Sequence, residues 1–391
     1  MKRKSVAAVA AALTMVLSLS ACGNSAQKDN EDVIVRESGP ETYAGCPCTC
    51  SECICNGAAG NTAPQPDTPS SEQQSVLETT QETDTEETQQ TTEQESEETA
   101  PEETTQEGGG LKVELSEGEL AARREQQQNF AEVRDSLYDI TDSLDKTKKI
   151  NQMDKQILAN NAYDFSDKTI VFIGDSITEG ITSSIDQNGN YVSYVTYVNS
   201  YLHFGNVLNH GMGGRMFAQY GGDELSLAMN FENVTNINSD IIVVFAGVND
   251  YLCTPANKHF GSVSDTMSTG NYCGALRYFM KQLKEYYGDR DIFFVTMYDI
   301  NKKPNCTYAD FNGQPTLGDF MEAERQLAKE FGFNIIDLHG TGFMDCSTKE
   351  ASDYYLRDGL HPKDNGSIAL GEHIAAELSL YFGQKEGNSG N

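Results

Sequence analysis

From Asp167 onward, near-continuous apolar runs alternate with amphipathic stretches. Thr169–Ile173, Asn206–Leu208, Ile241–Phe245, Ile292–Met297 and Asn334–Ile336 read as strands, and helical spacing recurs over 191–202, 272–287, 317–331 and 367–381. Ile, Val and Phe in unbroken runs suit strands buried on both faces of a parallel sheet, whereas a half-exposed antiparallel strand alternates apolar with polar. Strand–helix alternation predicts an α/β domain over 165–384, a three-layer α/β/α sandwich, followed by a short tail at 385–391.

Upstream the texture differs. In the segment 111–160, Phe130, Val133, Leu137, Ile140 and Leu144 recur at 3-4-3-4 spacing, and Ile150, Met153 and Ile157 resume it after a phase slip. This predicts an amphipathic helix, too short for the sustained heptads of a coiled coil. It would lie against the α/β domain or stand as a stalk, with weak self-association through 130–157 as the alternative. Residues 61–110 are rich in Glu, Thr, Gln and Ser, without Lys, Arg or an aromatic. Such a stretch cannot bury enough apolar surface to offset its conformational entropy, so 23–110 reads as a disordered acidic spacer. The net charge is −31, more than half of it upstream of residue 165. With no basic stripe, nucleic-acid binding is disfavoured.

The first 22 residues read as an export signal: Lys2-Arg3-Lys4, an apolar run from Val6 to Leu19, then Leu19-Ser20-Ala21-Cys22. The apolar run is short for a membrane span. The last four residues resemble a bacterial lipobox, which implies lipidation at Cys22 and a protein anchored to the outer face of the cell membrane. Five further cysteines, Cys46, Cys48, Cys50, Cys53 and Cys55, cluster within the spacer. They could be oxidised, or hold a soft metal through thiolates, but the odd number and the lack of a histidine argue against a metal site. Cys253, Cys273, Cys306 and Cys346 lie in the α/β domain and admit three disulfide pairings.

Two phrases carry the chemistry. Gly174-Asp175-Ser176-Ile177-Thr178 follows the first strand, and Asp358-Gly359-Leu360-His361-Pro362 lies near the C-terminus. A serine hydroxyl is a poor nucleophile unless an imidazole takes its proton, and the imidazole needs an acceptor to fix its tautomer. Between them stand Asn209-His210-Gly211-Met212-Gly213-Gly214 and Gly247-Val248-Asn249-Asp250. Together the four ordered blocks resemble those of the SGNH hydrolase superfamily, the GDSL-type esterases and lipases. The pattern is not that of α/β-hydrolases, whose nucleophile sits in G-x-S-x-G, since position 178 is Thr.

The resemblance implies a flavodoxin-like parallel sheet with the site at the carboxyl ends of its strands, the general position in open α/β sheets. It implies Ser176 as nucleophile, His361 as base and Asp358 as its orienter, with an oxyanion hole from the Ser176 and Gly214 backbone N–H groups and the Asn249 side chain. No cofactor or metal is expected, and none of the remaining histidines has metal-ligand spacing. Asp175 and Asp250 read as turn-shaping residues. Tyr251, Tyr298, Tyr354 and Tyr355 are candidates for substrate contact. The function expected is a lipid-anchored serine esterase acting on short O-acyl groups of carbohydrates or on small esters. The alternatives are a lysophospholipase or thioesterase, and a non-catalytic binding protein on the same fold.

Overall fold

The computed structural model describes residues 33–34, 115–219, 224–253, 260–302 and 315–389. Outside them lie the signal segment with Cys22, the Cys46–Cys55 cluster, nearly all of the spacer, His259 and Cys306.

The strands are β1 (Val33–Ile34), β2 (Thr169–Gly174), β3 (Asn206–Gly211), β4 (Ile241–Phe245), β5 (Asp291–Val295) and β6 (Asn334–Ile336). They form one sheet in the order β1-β3-β2-β4-β5-β6, parallel at every pair. Without the two-residue β1, the order is that of the flavodoxin-like fold, with its switch point between β2 and β4. Ile170–Ile173 and all of β4 are buried, as unbroken apolar runs require. β3 runs three residues beyond its expected end because Asn209–Gly211 pair with Phe172–Gly174, whereas β5 stops at Val295, two residues early. Gly174 is thereby level with Gly211 on one side and Phe245 on the other.

The helices are α1 (Glu117–Asp135), α2 (Ser143–Ala159), α3 (Ser176–Glu179), α4 (Tyr194–Leu202), α5 (Phe231–Val234), α6 (Val248–Cys253), α7 (Tyr272–Tyr287), α8 (Leu317–Phe331), α9 (Leu338–Thr341), α10 (Lys349–Tyr355) and α11 (Asp364–Ser389). α4 and α11 lie together on the sheet, where Phe172 and Phe245 meet Tyr194 and Phe293 meets Tyr381 and Phe382. α7 and α8 form a second helical pair, with Phe279 and Phe320 fully buried. α4 begins at Tyr194, not near 191, because Ser193 caps it and Tyr191 bridges to Ile185. α11 continues through 385–389, where a tail was expected, and Lys385 pairs with Asp291.

The amphipathic segment is a helical hairpin and not one helix. Ser116 opens α1 with a capping box and Ser136 closes it, then Asp142 caps α2 through the Asp145 N–H. The turn falls where the apolar spacing is unbroken, at Leu137 and Ile140, whereas the phase slip between Leu144 and Ile150 lies within α2. The apolar stripe is spent inside the molecule: Ile150 and Ile157 are fully buried, and both helices lie on α11. It is therefore not free for the self-association considered above. Polar groups complete the seam. Arg134 Nη1 reaches Asp154 Oδ1 at 3.0 Å, Asp154 Oδ2 lies 2.9 Å from His373 Nδ1, and Arg134 Nη2 lies 2.5 Å from Glu377. Burial of the guanidinium disfavours its charge, but Glu377 and Asp154 more than offset this and raise its pKa. Removing one partner of such a buried set typically costs about 3–5 kcal/mol, because it strands the other charge.

All three pairings of the four domain cysteines use Cys273 and Cys346. Both are buried free thiols, so none of the three pairings is formed in full, and any bond made by Cys273 or Cys346 is absent. Burial pushes the Cys273 thiol up to about 12, which keeps it protonated and unreactive.

Candidate active site

Ser176 leaves β2 on a tight turn that only glycine at 174 permits. A Cβ there would stand 2.4 Å from the Phe245 carbonyl oxygen and 2.0 Å from Thr178 Oγ1. Asp175, not Ser176, caps α3, accepting from the Ile177 N–H at 2.9 Å. Ser176 is thus the first helical residue, its hydroxyl is not used as a cap, and its N–H has no acceptor within the helix.

His361 arrives from the loop before α11. Its Nε2 lies 2.9 Å from Ser176 Oγ, and its Nδ1 lies 2.8 Å from Asp358 Oδ2. Asp358 Oδ1 accepts from the backbone N–H groups of Leu360 and His361 at 3.1 and 2.9 Å. One carboxylate therefore shapes the loop and fixes the ring, so the three-residue spacing is a geometric requirement. Burial works against the charge of Asp358, but the hydrogen bonds from His361 outweigh it and hold the carboxyl well below the usual range. Ser176 and His361 are each 3% exposed. Thr182 Oγ1 donates to the Pro362 carbonyl, Ser184 binds Asp364 through both N–H and hydroxyl, and buried Tyr298 donates to the Leu360 carbonyl. The Thr182 and Ser184 bonds tie the histidine loop to the chain that follows the serine, and Tyr298 ties it to the end of β5.

The third wall is the turn after β3. Gly214 has φ +80°, a conformation glycine adopts at little cost. The Asn249 side chain, 1% exposed, donates through Nδ2 to the Arg215 carbonyl at 2.8 Å. An Asn side-chain amide has two N–H donors, so one remains for a ligand. Asp250 accepts from the Phe217 and Ala218 N–H groups at 2.8 and 3.0 Å, locking the chain beyond the turn. Burial pushes both Asp175 and Asp250 up to about 7.

The structure thus gathers all five sequence-predicted residues, Ser176, Gly214, Asn249, Asp358 and His361, around the ends of β2, β3 and β4. A hydroxyl, an imidazole and a carboxylate chained in this order can pass a proton from oxygen to nitrogen while the acid fixes the tautomer. The tyrosines distribute differently. Tyr298 and Tyr355 are buried, Tyr251 packs edge-on to Phe320, and Tyr354 is exposed beneath Lys148. Three of the other described histidines have structural partners, Val234 for His210, Arg325 for His339 and Asp154 for His373. No group of three or more metal-ligating side chains occurs among the described residues.

One residue passed over in the sequence is Glu179, whose carboxylate accepts from the Gly213 N–H at 2.5 Å. Its place three positions after Ser176, on the same side of a helical turn, was the available signal.

A parallel flavodoxin-like sheet with a hydrogen-bonded Ser–His–Asp chain at its switch point, the serine and histidine buried, defines a serine hydrolase of the SGNH type. The description "GDSL-like Lipase/Acylhydrolase family" matches residues 172–367, half of the chain, with Ser176, Gly214, Asn249, Asp358 and His361 all inside the match. The chain belongs to this family of ester hydrolases. It is 25% identical over 217 residues to an acetylxylan esterase from Xylanibacter ruminicola, an overlap of 54% of this chain and 42% of that protein. The chain thus spans well under two thirds of that relative's length. Among solved structures, a Lactobacillus plantarum protein has a TM-score of 0.45 at 20% identity, covering 55% of this chain and 97% of that one. A catalytic mutant of an acetylxylan esterase from Geobacillus stearothermophilus has a TM-score of 0.39 at 17% identity, covering 55% and 96%.

Proposed function

We propose that the protein is a serine esterase that hydrolyses carboxylic esters through an acyl-enzyme, with short O-acyl groups on carbohydrates or small esters as substrates. The observation that carries this is the continuous chain from Ser176 Oγ to His361 Nε2 at 2.9 Å and from His361 Nδ1 to Asp358 at 2.8 Å. In the first step Ser176 Oγ attacks the ester carbonyl and His361 Nε2 takes its proton. The carbonyl oxygen becomes an oxyanion, held by the Ser176 N–H, the Gly214 N–H and the second Asn249 Nδ2–H. Asp358 stays ionised and faces the imidazolium. Collapse expels the alcohol, which leaves with the proton from His361. Water then repeats the sequence on the acyl-serine and releases the carboxylic acid. Each oxyanion donor is worth about 10²–10³ in rate. The acetylxylan esterase relative supports an acyl-carbohydrate substrate.

The reading includes export and lipid attachment at Cys22, supported by the charged, apolar and small-residue order of the first 22 residues. Residues 23–110 then act as a tether, and the enzyme works at the outer face of the membrane. The test is a panel of 4-nitrophenyl esters of increasing acyl length, run with acetylated glycans and lysophospholipids on wild type and Ser176→Ala. Serine-dependent acetate release from glycans is expected. Preference for long acyl chains or lysophospholipid would move the substrate class to lipids, and equal activity in Ser176→Ala would refute the mechanism.

A further inference from the structure

The two glycines of the oxyanion turn raise a question of control. A Gly213–Gly214 pair has wide backbone freedom, yet the donor it supplies must be aimed to within tenths of an ångström. The turn is closed by the Arg215 N–H, which donates to the Met212 carbonyl at 3.3 Å, and is held at three further points. The Met212 N–H donates to the Gly174 carbonyl at 3.2 Å, the Arg215 carbonyl accepts from Asn249, and the Gly213 N–H donates to Glu179 Oε2 at 2.5 Å. The Gly214 N–H, between these anchors, donates to no acceptor among the described residues. The turn closure and the first two anchors use atoms outside the glycine pair, so among the described residues only the Glu179 bond is made to one of the two glycines. The turn is close to the nucleophile as well: a Cβ on Gly213 would lie 3.9 Å from Ser176 Cβ.

We propose that Glu179 is a positioning residue, which by accepting from the Gly213 N–H aims the Gly214 N–H at the oxyanion without touching substrate. This rests on the esterase reading above. What the turn needs is an acceptor, not a charge, because a bare carboxylate near a developing oxyanion would repel it. The surroundings fit that division. Burial raises the Glu179 pKa against the lowering effects of the Gly213 hydrogen bond, Arg215 and His361. Glutamine, which keeps the carbonyl acceptor and loses the charge, should therefore serve in its place.

The experiment uses the full chain and three variants: Glu179→Gln, Glu179→Met and Ser176→Ala. Methionine keeps length and burial but cannot accept strongly. The readouts are kcat and KM on 4-nitrophenyl acetate per folded enzyme, the affinity of an alkyl boronic acid that forms a tetrahedral adduct on the serine, and the melting temperature. Glu179→Met should lower kcat about 10–100-fold, part of the loss for a missing donor, with KM unchanged within about twofold. Its boronate affinity should fall by a similar factor. Glu179→Gln should stay within about threefold of wild type in both. The proposal is overturned if Glu179→Met keeps its kcat, if its loss merely tracks the folded fraction, or if Glu179→Gln loses as much as Glu179→Met. Failure of the esterase reading looks different: Ser176→Ala would then match wild type, and both ideas would fall.

Discussion

Asp358→Asn separates the two jobs that one carboxylate performs here. Oδ1 accepts from the Leu360 and His361 N–H groups at 3.1 and 2.9 Å, while Oδ2 faces His361 Nδ1 at 2.8 Å. Asparagine keeps a carbonyl oxygen for the two backbone donors, so the loop should keep its shape. Its NH₂ then points at Nδ1 and makes that nitrogen an acceptor, which places the proton on Nε2 and leaves Ser176 without a base. The loss expected is about 10⁴ in kcat, as found when a serine-protease triad acid becomes asparagine. Alanine removes the loop bonds as well. Each is worth about 0.5–1.5 kcal/mol, and the Asp358 side chain is 41% exposed, so water replaces part of them. Asp358→Ala should therefore lower unfolding free energy by about 1–2 kcal/mol, and Asp358→Asn by less than about 0.5 kcal/mol. The assays are kcat/KM on 4-nitrophenyl acetate and urea unfolding. Asp358→Asn with a native urea midpoint and more than a tenth of wild-type activity would refute the tautomer argument.

His361→Ala should cost about 10⁶, and the Asp358→Ala/His361→Ala double variant should be no worse, since the residues act as one unit; full multiplication of the losses would break the triad assignment. A fluorophosphonate should label wild type at Ser176 alone, read by peptide mass spectrometry, and leave Ser176→Ala unmodified. A chain starting near Leu111 should keep full kcat/KM on a soluble ester, whereas one starting at Phe165 should fail a thermal-melt test. The second loses Ile150 and Ile157, each worth about 1.5–3 kcal/mol by burial, and strands His373 without Asp154. Asp175 and Asp250 sit at about 7 when folded, against about 3.8 for the ordinary carboxyl. Between those values the folded state binds more protons, so their stabilising contribution is full below about pH 4 and is lost as pH rises through about 7. The melting temperature should thus fall from pH 5 to pH 8, and less so in Asp250→Asn. An unchanged slope in that variant would assign the effect to other raised carboxyls such as Glu324.

The catalytic region was legible because its signals are local. Unbroken apolar runs name buried parallel strands, and each site residue sits within a few positions of a strand end or inside a short loop. Gly214 and Asn249 could be named in the same way, from blocks that follow β3 and β4. The hairpin at 117–159 was misread because Leu137 and Ile140 keep the 3-4 spacing through the turn, so periodicity shows no break there. The signal was there, in Ser136 and Asp142, residue types that end and begin helices. The fate of its apolar face was not local, since α11 lies more than 200 residues away in sequence. Glu179 was only partly legible: its spacing from Ser176 is local, but what it binds is not. Its partner is a backbone N–H on another strand's turn, and no side-chain pattern announces a peptide group.

That sequence distance sets an order of assembly. Gln127 bonds Ser379, Asn151 bonds the Ala369 carbonyl and Asp154 meets His373, each across 218 residues or more. The hairpin is made early by the ribosome, but the helix that covers it is among the last segments to emerge. Until then Ile150, Ile157 and the Arg134–Asp154 pair have no cover. The loop that must close is long, though its entropic cost grows only slowly with length. The ends of the domain therefore act as a clasp that fastens only on a finished chain, so a product truncated within the last helix leaves an open, sticky seam for quality-control proteases to find.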